Sequence, residues 1–227
     1  MENFYENQSK IHAVIGYKST FIISILSSLN FSSVLDIGCG DGAFDEIILR
    51  IFPQVTLYGI DISHVAVSNA KKKGINAIVL DVSNQSLPWN ENSFDIVLLL
   101  DTIEHLINPD FAITEIHRVL KKDGYLLLST PNLACWYNRF LLFMGLQPIF
   151  TEVSTKAVFG RPGTQVVGHL RLFTPKALEE FLSFYHFKCL RKVGMPFEQI
   201  PRPLKDLDIL FAKYFPMASI LLILAKK

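Results

Sequence analysis

Short apolar segments alternate with amphipathic ones as far as Thr130, and this rhythm constrains the fold more than any other feature of the sequence. The apolar segments predict strands at 33–37, 55–60, 76–80, 94–100 and 125–130. Between them, helical spacing of apolar residues predicts helices at 44–51, 63–73 and 109–121. Such alternation is typical of a doubly wound α/β fold, in which helices cover both faces of a mostly parallel sheet.

The remaining sequence adds two strands and two segments that break the rhythm. A leading helix is predicted at 14–29, a later helix from Thr174 to Phe184, and strands at 187–193 and 218–225. Segments 131–172 and 193–217 are expected to be lid-like insertions near the site. A length of 227 residues suits one α/β domain, so we expect a single domain over 1–227, with a leading helical segment at 1–30.

The charge balance and the cysteines limit the kinds of ligand and cellular environment that we expect for the protein. Lysine plus arginine number 22 and aspartate plus glutamate 21, so no field of one sign favours nucleic acid, and a small-molecule partner is expected. Cys39, Cys135 and Cys189 lie far apart, without the spacing of a zinc site or a disulfide framework. We therefore expect no metal, and a reducing cytoplasm. Acidic residues near the N-terminus, where a secretory signal is basic, disfavour export.

Two apolar segments raise the question of a membrane. The segment 217–225 is too short to span one, because a spanning helix needs roughly 20 residues, and we interpret it as a buried strand. The segment LLFMGLQPIF, at 141–150, is expected to pack in the core. The alternative is a surface helix that guides a lipid-linked acceptor, so we predict no transmembrane segment and leave peripheral membrane contact open.

The segment VLDIGCGDGAF is the strongest local motif. Its glycines stand where the first strand turns into a helix, where a backbone without side chains can pass close to a ligand. Gly38, Gly40 and Ala43 also satisfy the dinucleotide pattern G-x-G-x-x-G/A. The motif therefore predicts a nucleotide-like ligand without saying which.

Three acids sharpen this prediction. Asp61 ends the second strand in YGIDIS, where a carboxylate can accept hydrogen bonds from both ribose hydroxyls. Asp81 ends the third strand in IVLDVS, within reach of an adenine amino group, and Asp36 precedes the glycine loop. Carboxyl ends of adjacent strands are where open α/β sheets bind ligands. The alternative for Asp61 and Asp81 is that they only cap the helices that follow.

Five ordered segments now carry a resemblance to the class I S-adenosylmethionine-dependent methyltransferases: VLDIGCGDG, YGIDIS, VLDVS, LPWNENSFDIVLLLDTIEHL and EIHRVLKKDGYLLLSTPN. The resemblance implies a seven-stranded Rossmann-like sheet of order 3-2-1-4-5-7-6 with an antiparallel last strand, and S-adenosyl-L-methionine as cofactor. It implies that the loop from Gly38 through Cys39 to Gly40, with Asp36, holds the methionine portion. The other implied cofactor contacts are Asp61 and Ile62 at the ribose, Asp81 and Val82 at the adenine, and Leu100 and Asp101 facing the sulfonium.

For the methyl acceptor, the sequence predicts a class of molecule and a set of candidate residues. The segment VGHLRLFTPKAL resembles subgroups that act on small molecules, some in sugar assembly, so a sugar or a lipid-linked intermediate is a candidate acceptor. An oxygen or nitrogen acceptor needs a base, for which we nominate His105 and His169; a scaffold role for His105 and a packing role for His169 stay open. The predicted acceptor pocket comprises Trp136, Tyr137, Arg139 and Arg171.

Two other functions compete with a methyltransferase. A short-chain NAD-dependent oxidoreductase shares the glycine loop and the ribose acid, but the chain has no Y-x-x-x-K pair of the kind that such enzymes use. A protein that keeps the fold, binds the cofactor and transfers nothing is the second alternative, and the sequence leaves it open.

Overall fold

Seven strands form one sheet in the computed structural model, which describes Gly16 and residues 18–227. The strands are β1 Ser33–Ile37, β2 Thr56–Asp61, β3 Asn76–Val79, β4 Phe94–Leu100, β5 Leu120–Pro131, β6 Lys188–Met195 and β7 Ile220–Lys226. Their order is β3-β2-β1-β4-β5-β7-β6, parallel from β3 to β5, with β7 antiparallel to both of its neighbours. The predicted strand order and the reversed last strand are confirmed.

Helices cover both faces of this sheet. Residues 18–26 are the described part of a leading helix, α1; the predicted start of that helix at Val14 falls outside the described residues. The other helices are α2 Ala43–Ile51, α3 His64–Lys72, α4 Pro109–Val119, α5 Trp136–Phe143, α6 Pro175–Phe184 and α7 Lys205–Ala212.

The strand β4 shows how the apolar sequence produces two cores. Val97 and Leu99 pack on one face, against α4 and α6, while Ile96 and Leu98 pack on the other, against α1 and α2. Successive side chains of a strand point to opposite faces, so a continuous apolar segment serves both.

Two predicted boundaries around β5 are wrong. The helix predicted to reach Lys121 ends at Val119, and the strand predicted to begin at Tyr125 begins at Leu120. Leu120 already has extended backbone angles and lies opposite Phe94 in the sheet. Pairing with a neighbouring strand thus overrides the helical pattern of the sequence.

The two irregular segments contain helices. Segment 131–172 holds α5, and segment 193–217 holds the end of β6 and α7. The expectation that LLFMGLQPIF packs in the core is wrong, because Phe143 is 85% exposed and Leu142 and Met144 are exposed beside it. The only buried residue of α5 is Asn138, so this helix turns apolar side chains outward. Within residues 16 and 18–227, no helix combines the length and apolar character needed to cross a membrane.

Candidate active site

A cleft of about 300 Å³ opens at the carboxyl ends of β1, β2, β3 and β4. This is the edge at which parallel sheets place ligands, because the loops that follow the strands converge there. Six of the predicted cofactor residues line it: Gly38, Asp61, Ile62, Asp81, Val82 and Asp101. Thr102, His105 and Leu106 line the side formed by the loop after β4.

The three glycines of the loop after β1 have positive φ angles but different surroundings. A Cβ at Gly38 would collide with the side chain of Thr102, whose hydroxyl donates to the carbonyl of Ile37 at 3.2 Å. A Cβ at Gly42 would press on Ala70 of α3 and on Ile75. At Gly40 a Cβ would meet nothing within 4 Å. Gly38 and Gly42 therefore serve packing, whereas Gly40 faces open space.

Asp61 ties β2 to the glycine loop. One carboxylate oxygen accepts from the Gly40 amide at 2.9 Å, and the other accepts from the Ser63 amide at 2.8 Å. The N-cap of α3 is Ser63, whose hydroxyl accepts from the amide of Ala66, so Asp61 is not itself the cap. Each carboxylate oxygen offers two lone pairs, which leaves one on each oxygen for a ligand in the cleft.

Asp81 stands at the end of β3 in a similar turn. One of its oxygens accepts from the Ser83 amide at 2.9 Å, and its own amide donates to the side chain of Gln85 at 2.9 Å. Val82 is buried beside it, and the Ser83 hydroxyl accepts from the amide of Ile107 at 3.1 Å. The turn is thus fixed in place, with the second Asp81 oxygen left for a ligand.

Four predicted cofactor residues lie outside the cleft lining. Cys39 packs against β2, where its sulfur would contact a Cβ at Gly59, and burial raises the pKa of its thiol. Gly40 follows in the loop, and Leu100 packs against the core below the loop after β4. Asp36 is buried under the loop.

Asp36 has a neighbour that sequence reasoning missed. Asp45, on α2, is 0% exposed, and neither of its oxygens has a hydrogen-bond donor among the described residues. The two carboxyl groups can bond to one another only through a shared proton. Burial raises the pKa of Asp45 to about 10, with a further contribution from Asp36, and burial raises the pKa of Asp36 to about 6. An acid in the first turn of a helix is common because it interacts favourably with the helix dipole, so the sequence position of Asp45 alone does not reveal this pair.

Asp101 begins the loop after β4 with a left-handed backbone, at φ 48°. Its carboxylate forms an ion pair with Lys18 of α1 and accepts from the Ser129 hydroxyl at 2.7 Å. A non-glycine residue in this conformation is strained, and such strain is found at functional sites.

The two nominated bases come together beside this loop. The rings of His105 and His169 lie 4.7 Å apart, centroid to centroid, although the residues are far apart in sequence. Both Nδ1 atoms are within hydrogen-bond distance of backbone carbonyls, His105 at 3.1 Å from Gly168 and His169 at 3.2 Å from Phe150. Because a carbonyl only accepts, each Nδ1 carries the proton and each Nε2 has a free lone pair.

Glu104 completes what we call the histidine cluster: Glu104, His105 and His169. Its carboxyl is 0% exposed; one oxygen accepts from the Thr130 hydroxyl at 2.8 Å, and the other has no hydrogen-bond partner within the described part of the chain. Burial, with the nearby charge of Asp101, raises the pKa of Glu104 to about 7. Burial and His105 together lower the pKa of His169.

The four residues predicted for the acceptor pocket are held elsewhere, and none of them is in the cleft lining. The Trp136 indole donates to Asp208 at 2.8 Å and stacks on Phe211 of α7. The Tyr137 hydroxyl is buried, and Arg139 donates to the carbonyl of Ala134 at 2.6 Å. Arg171 donates to the carbonyls of Leu106 and Ile107, next to the histidine cluster. Their role in binding an acceptor stays a prediction.

The residues of the cleft fit S-adenosylmethionine. Each carboxylate oxygen of Asp61 has one lone pair left, and together these could accept from the two hydroxyls of a ribose. One carboxylate oxygen of Asp81 accepts no hydrogen bond from the described residues and could accept from an amino group. Open space in front of Gly40 leaves room for a chain that lies against the loop. The acceptors of the cleft thus suit an adenosine, and the space at Gly40 leaves room for its tail.

Comparison with known protein families agrees with this geometry. The family model described as a methyltransferase domain matches residues 35–128, which cover β1 to β5 up to Leu128. A crystal structure from Thermotoga maritima, described as an S-adenosylmethionine-dependent methyltransferase and possible histamine N-methyltransferase, superposes with a TM-score of 0.65 at 21% identity. The superposition covers 99% of this chain and 95% of that one, so the two share the fold.

Curated relatives match about half of the chain. A ubiquinone biosynthesis O-methyltransferase of Pelagibacter ubique is 34% identical over 102 residues, which are 44% of this chain and 42% of that protein. The protein of the same description from Xanthomonas oryzae is 33% identical over 130 residues, 55% of this chain and 53% of that protein. The chain thus spans about half the length of the curated relatives that it matches, and segment 131–227 lies beyond the match to the family model.

Proposed function

We propose that the chain is a class I S-adenosylmethionine-dependent methyltransferase and that it methylates a hydroxyl oxygen of a small molecule. S-adenosylmethionine supplies an activated methyl group when bound. The pair of acid-bearing turns at Asp61 and Asp81, whose remaining lone pairs lie at one cleft, carries the proposal. The relatives described as O-methyltransferases favour oxygen as the accepting atom.

The protein's own residues would contribute chiefly by positioning. Thr102 fixes Gly38 against the end of β4, and Asp61 fixes Gly40, so the loop is held before any ligand enters. Positioning of two reactants at about 3–3.5 Å can supply several kcal/mol of a displacement barrier. Rigid turns on both sides of the cleft suit this task.

His105 is the first candidate to assist the loss of the acceptor proton. It lines the cleft, and its free Nε2 can accept a proton while Nδ1 stays bonded to the carbonyl of Gly168. His169 is the second candidate. Its ring contacts that of His105, but His169 itself does not line the cleft. Neutral imidazoles with one nitrogen tied to a carbonyl are arranged to accept a proton at the other.

The exposed apolar face of α5 favours an acceptor with an apolar part. Phe140, Phe143 and Met144 project from a helix that directly follows β5. A lipid-linked or otherwise apolar acceptor could lie along this face on its way to the cleft. The sugar acceptors that the sequence also suggests have no such observation in their favour.

A product screen tests the proposal. Purified protein is incubated with S-adenosylmethionine and panels of phenols, sugars, amines and lipid-linked alcohols, and S-adenosylhomocysteine and methylated products are detected by mass spectrometry. We expect methyl ethers from a phenol or a lipid-linked alcohol. Tight cofactor binding with no product from any panel would instead support a binding protein, and product from amines alone would overturn the oxygen assignment.

A further inference from the structure

The histidine cluster has the composition of a metal site that no part of the function above requires. Glu104, His105 and His169 each offer one ligand atom, and these atoms lie within 4.8 Å of one another. Two imidazole nitrogens and one carboxylate oxygen are a common ligand set for divalent transition-metal ions with open coordination positions. We propose that Glu104, His105 and His169 bind a divalent transition-metal cation at the edge of the cleft.

The tautomers of both histidines support this assignment. Metal-binding histidines typically donate their second ring N–H to a carbonyl or carboxylate, which fixes the ring and leaves the other nitrogen for the metal. His105 does so at Gly168 and His169 at Phe150, at 3.1 and 3.2 Å. Both Nε2 atoms therefore carry lone pairs, as a metal requires.

Glu104 provides the second, independent observation. A fully buried carboxylate oxygen without a hydrogen-bond partner is costly, because nothing replaces the water it has lost. The other oxygen of Glu104 is already held by Thr130 at 2.8 Å, so the carboxyl is oriented while one oxygen stays unsatisfied. A cation beside the two histidines would satisfy that oxygen.

Hydrogen bonds from backbone and side-chain groups hold the two segments of the site in place. The amide of Leu170 donates to the carbonyl of Glu104 at 2.9 Å, and Arg171 donates to the carbonyls of Leu106 and Ile107. Glu152 accepts from the amides of Val167 and Gly168 at 2.6 and 2.8 Å. Ligand atoms around a bound cation lie about 3–4 Å apart, since each bond is about 2 Å long, so small side-chain rotations would complete the site.

A cation at this position would adjoin the cleft, because His105 lines it. A metal ion lowers the pKa of a hydroxyl bound to it. On the proposed function, His105 would then assist proton loss by holding the metal rather than by accepting the proton. The binding itself does not depend on any acceptor, so it can be tested when the proposed function fails.

Binding of Zn²⁺ and Co²⁺ to untagged, metal-free protein tests the proposal. We expect about one equivalent of Zn²⁺ by calorimetry and visible absorption from bound Co²⁺, both without cofactor. His105→Ala, His169→Ala and Glu104→Gln should each weaken binding by at least about tenfold, a loss typical of a removed ligand. His186→Ala is the matched control, because His186 and His117 also form a histidine pair, at 6.3 Å between ring centroids, and no carboxylate among residues 16 and 18–227 joins them in a potential metal site.

Each outcome decides the assignment. Thermal melting first establishes that a variant is folded, and Glu104→Gln keeps the shape of the side chain should the alanine variants unfold. Loss of binding in the three cluster variants and its retention in His186→Ala support the site. Absence of binding in the parent protein, unchanged binding in His105→Ala, or preference for Mg²⁺ over Zn²⁺ would overturn it.

Discussion

The two sides of the cleft are built in different ways. On one side, Asp61 and Asp81 each bond to an amide two residues further along the chain, so each turn is a local structure. On the other side, the histidine cluster joins His105 to a loop 63 residues later. The local side lies within residues 35–128, which match the family model, whereas His169 of the long-range side lies beyond them. On the proposed function, the first side would bind the cofactor and the second would carry the acceptor chemistry.

The largest expected effect is on the acceptor side. His105→Ala should lower turnover about a hundredfold, the usual contribution of a group that assists proton transfer, and should leave the dissociation constant of S-adenosylmethionine within about twofold of the parent value. Steady-state kinetics with the acceptor found by screening, together with calorimetry, measure both quantities. A weaker cofactor affinity with unchanged turnover would instead show that His105 acts in cofactor binding.

Asp61→Ala should have the opposite effect to His105→Ala: it should weaken cofactor binding and leave turnover nearly unchanged. Loss of a charged acceptor is worth roughly 1.5–3 kcal/mol, so the cofactor dissociation constant should rise about tenfold or more. Turnover at saturating cofactor should change little. Asp41→Ala is the control, because Asp41 is an acid of the glycine loop, to which Asp61 bonds, but it pairs with Lys73 and is not in the cleft lining. Equal effects of the two substitutions would contradict a specific role for Asp61.

Asp45→Asn should raise stability in a pH-dependent way. The folded pKa of about 10 exceeds the ordinary value of 3.8, so between these values the unfolded chain ionises while the folded protein keeps the proton. Stability is therefore lost as the pH rises above about 4, and the variant escapes this loss. We expect a gain of about 1–3 kcal/mol at pH 8 that vanishes near pH 4. Chemical denaturation at both pH values measures it, and an equal change at both would refute the shared-proton account.

The smallest expected effect comes from two glycine substitutions, whose comparison distinguishes the cost of backbone strain from the loss of a ligand contact. Gly40 and Gly74 both have positive φ and open space where a Cβ would stand, but only Gly40 belongs to the cofactor loop. Gly40→Ala and Gly74→Ala should each cost about 1–2 kcal/mol of stability. Only Gly40→Ala should weaken cofactor binding, by severalfold. If both variants bind the cofactor equally well, Gly40 does not face the ligand.

The same contrast explains what could be predicted from the sequence. Apart from the start of β5, which pairing with β4 sets, the strands, the glycine loop and the acid-bearing turns follow local sequence patterns, so alternation and motif spacing predicted them within a few positions. The strand order came from the family resemblance, and the structure confirms it.

The features that sequence reasoning missed depend on tertiary contacts. The Asp36–Asp45 pair forms because α2 packs under the glycine loop, and the histidine cluster forms because the segment around Glu152 brings His169 to the loop after β4. The outward face of α5 likewise follows from packing, since its apolar residues alone suggested a core helix. None of these contacts follows from the spacing of residues along the sequence.

Titration calorimetry with S-adenosylhomocysteine and with NAD⁺ tests the central claim, that the acid-bearing turns form a site for the adenosine and the charged tail of the methyl donor. We predict one S-adenosylhomocysteine bound per chain, displaced by S-adenosylmethionine, weakened by Asp61→Ala, and no heat from NAD⁺. Saturable binding of NAD⁺, or no binding of either ligand to folded protein, would contradict the account.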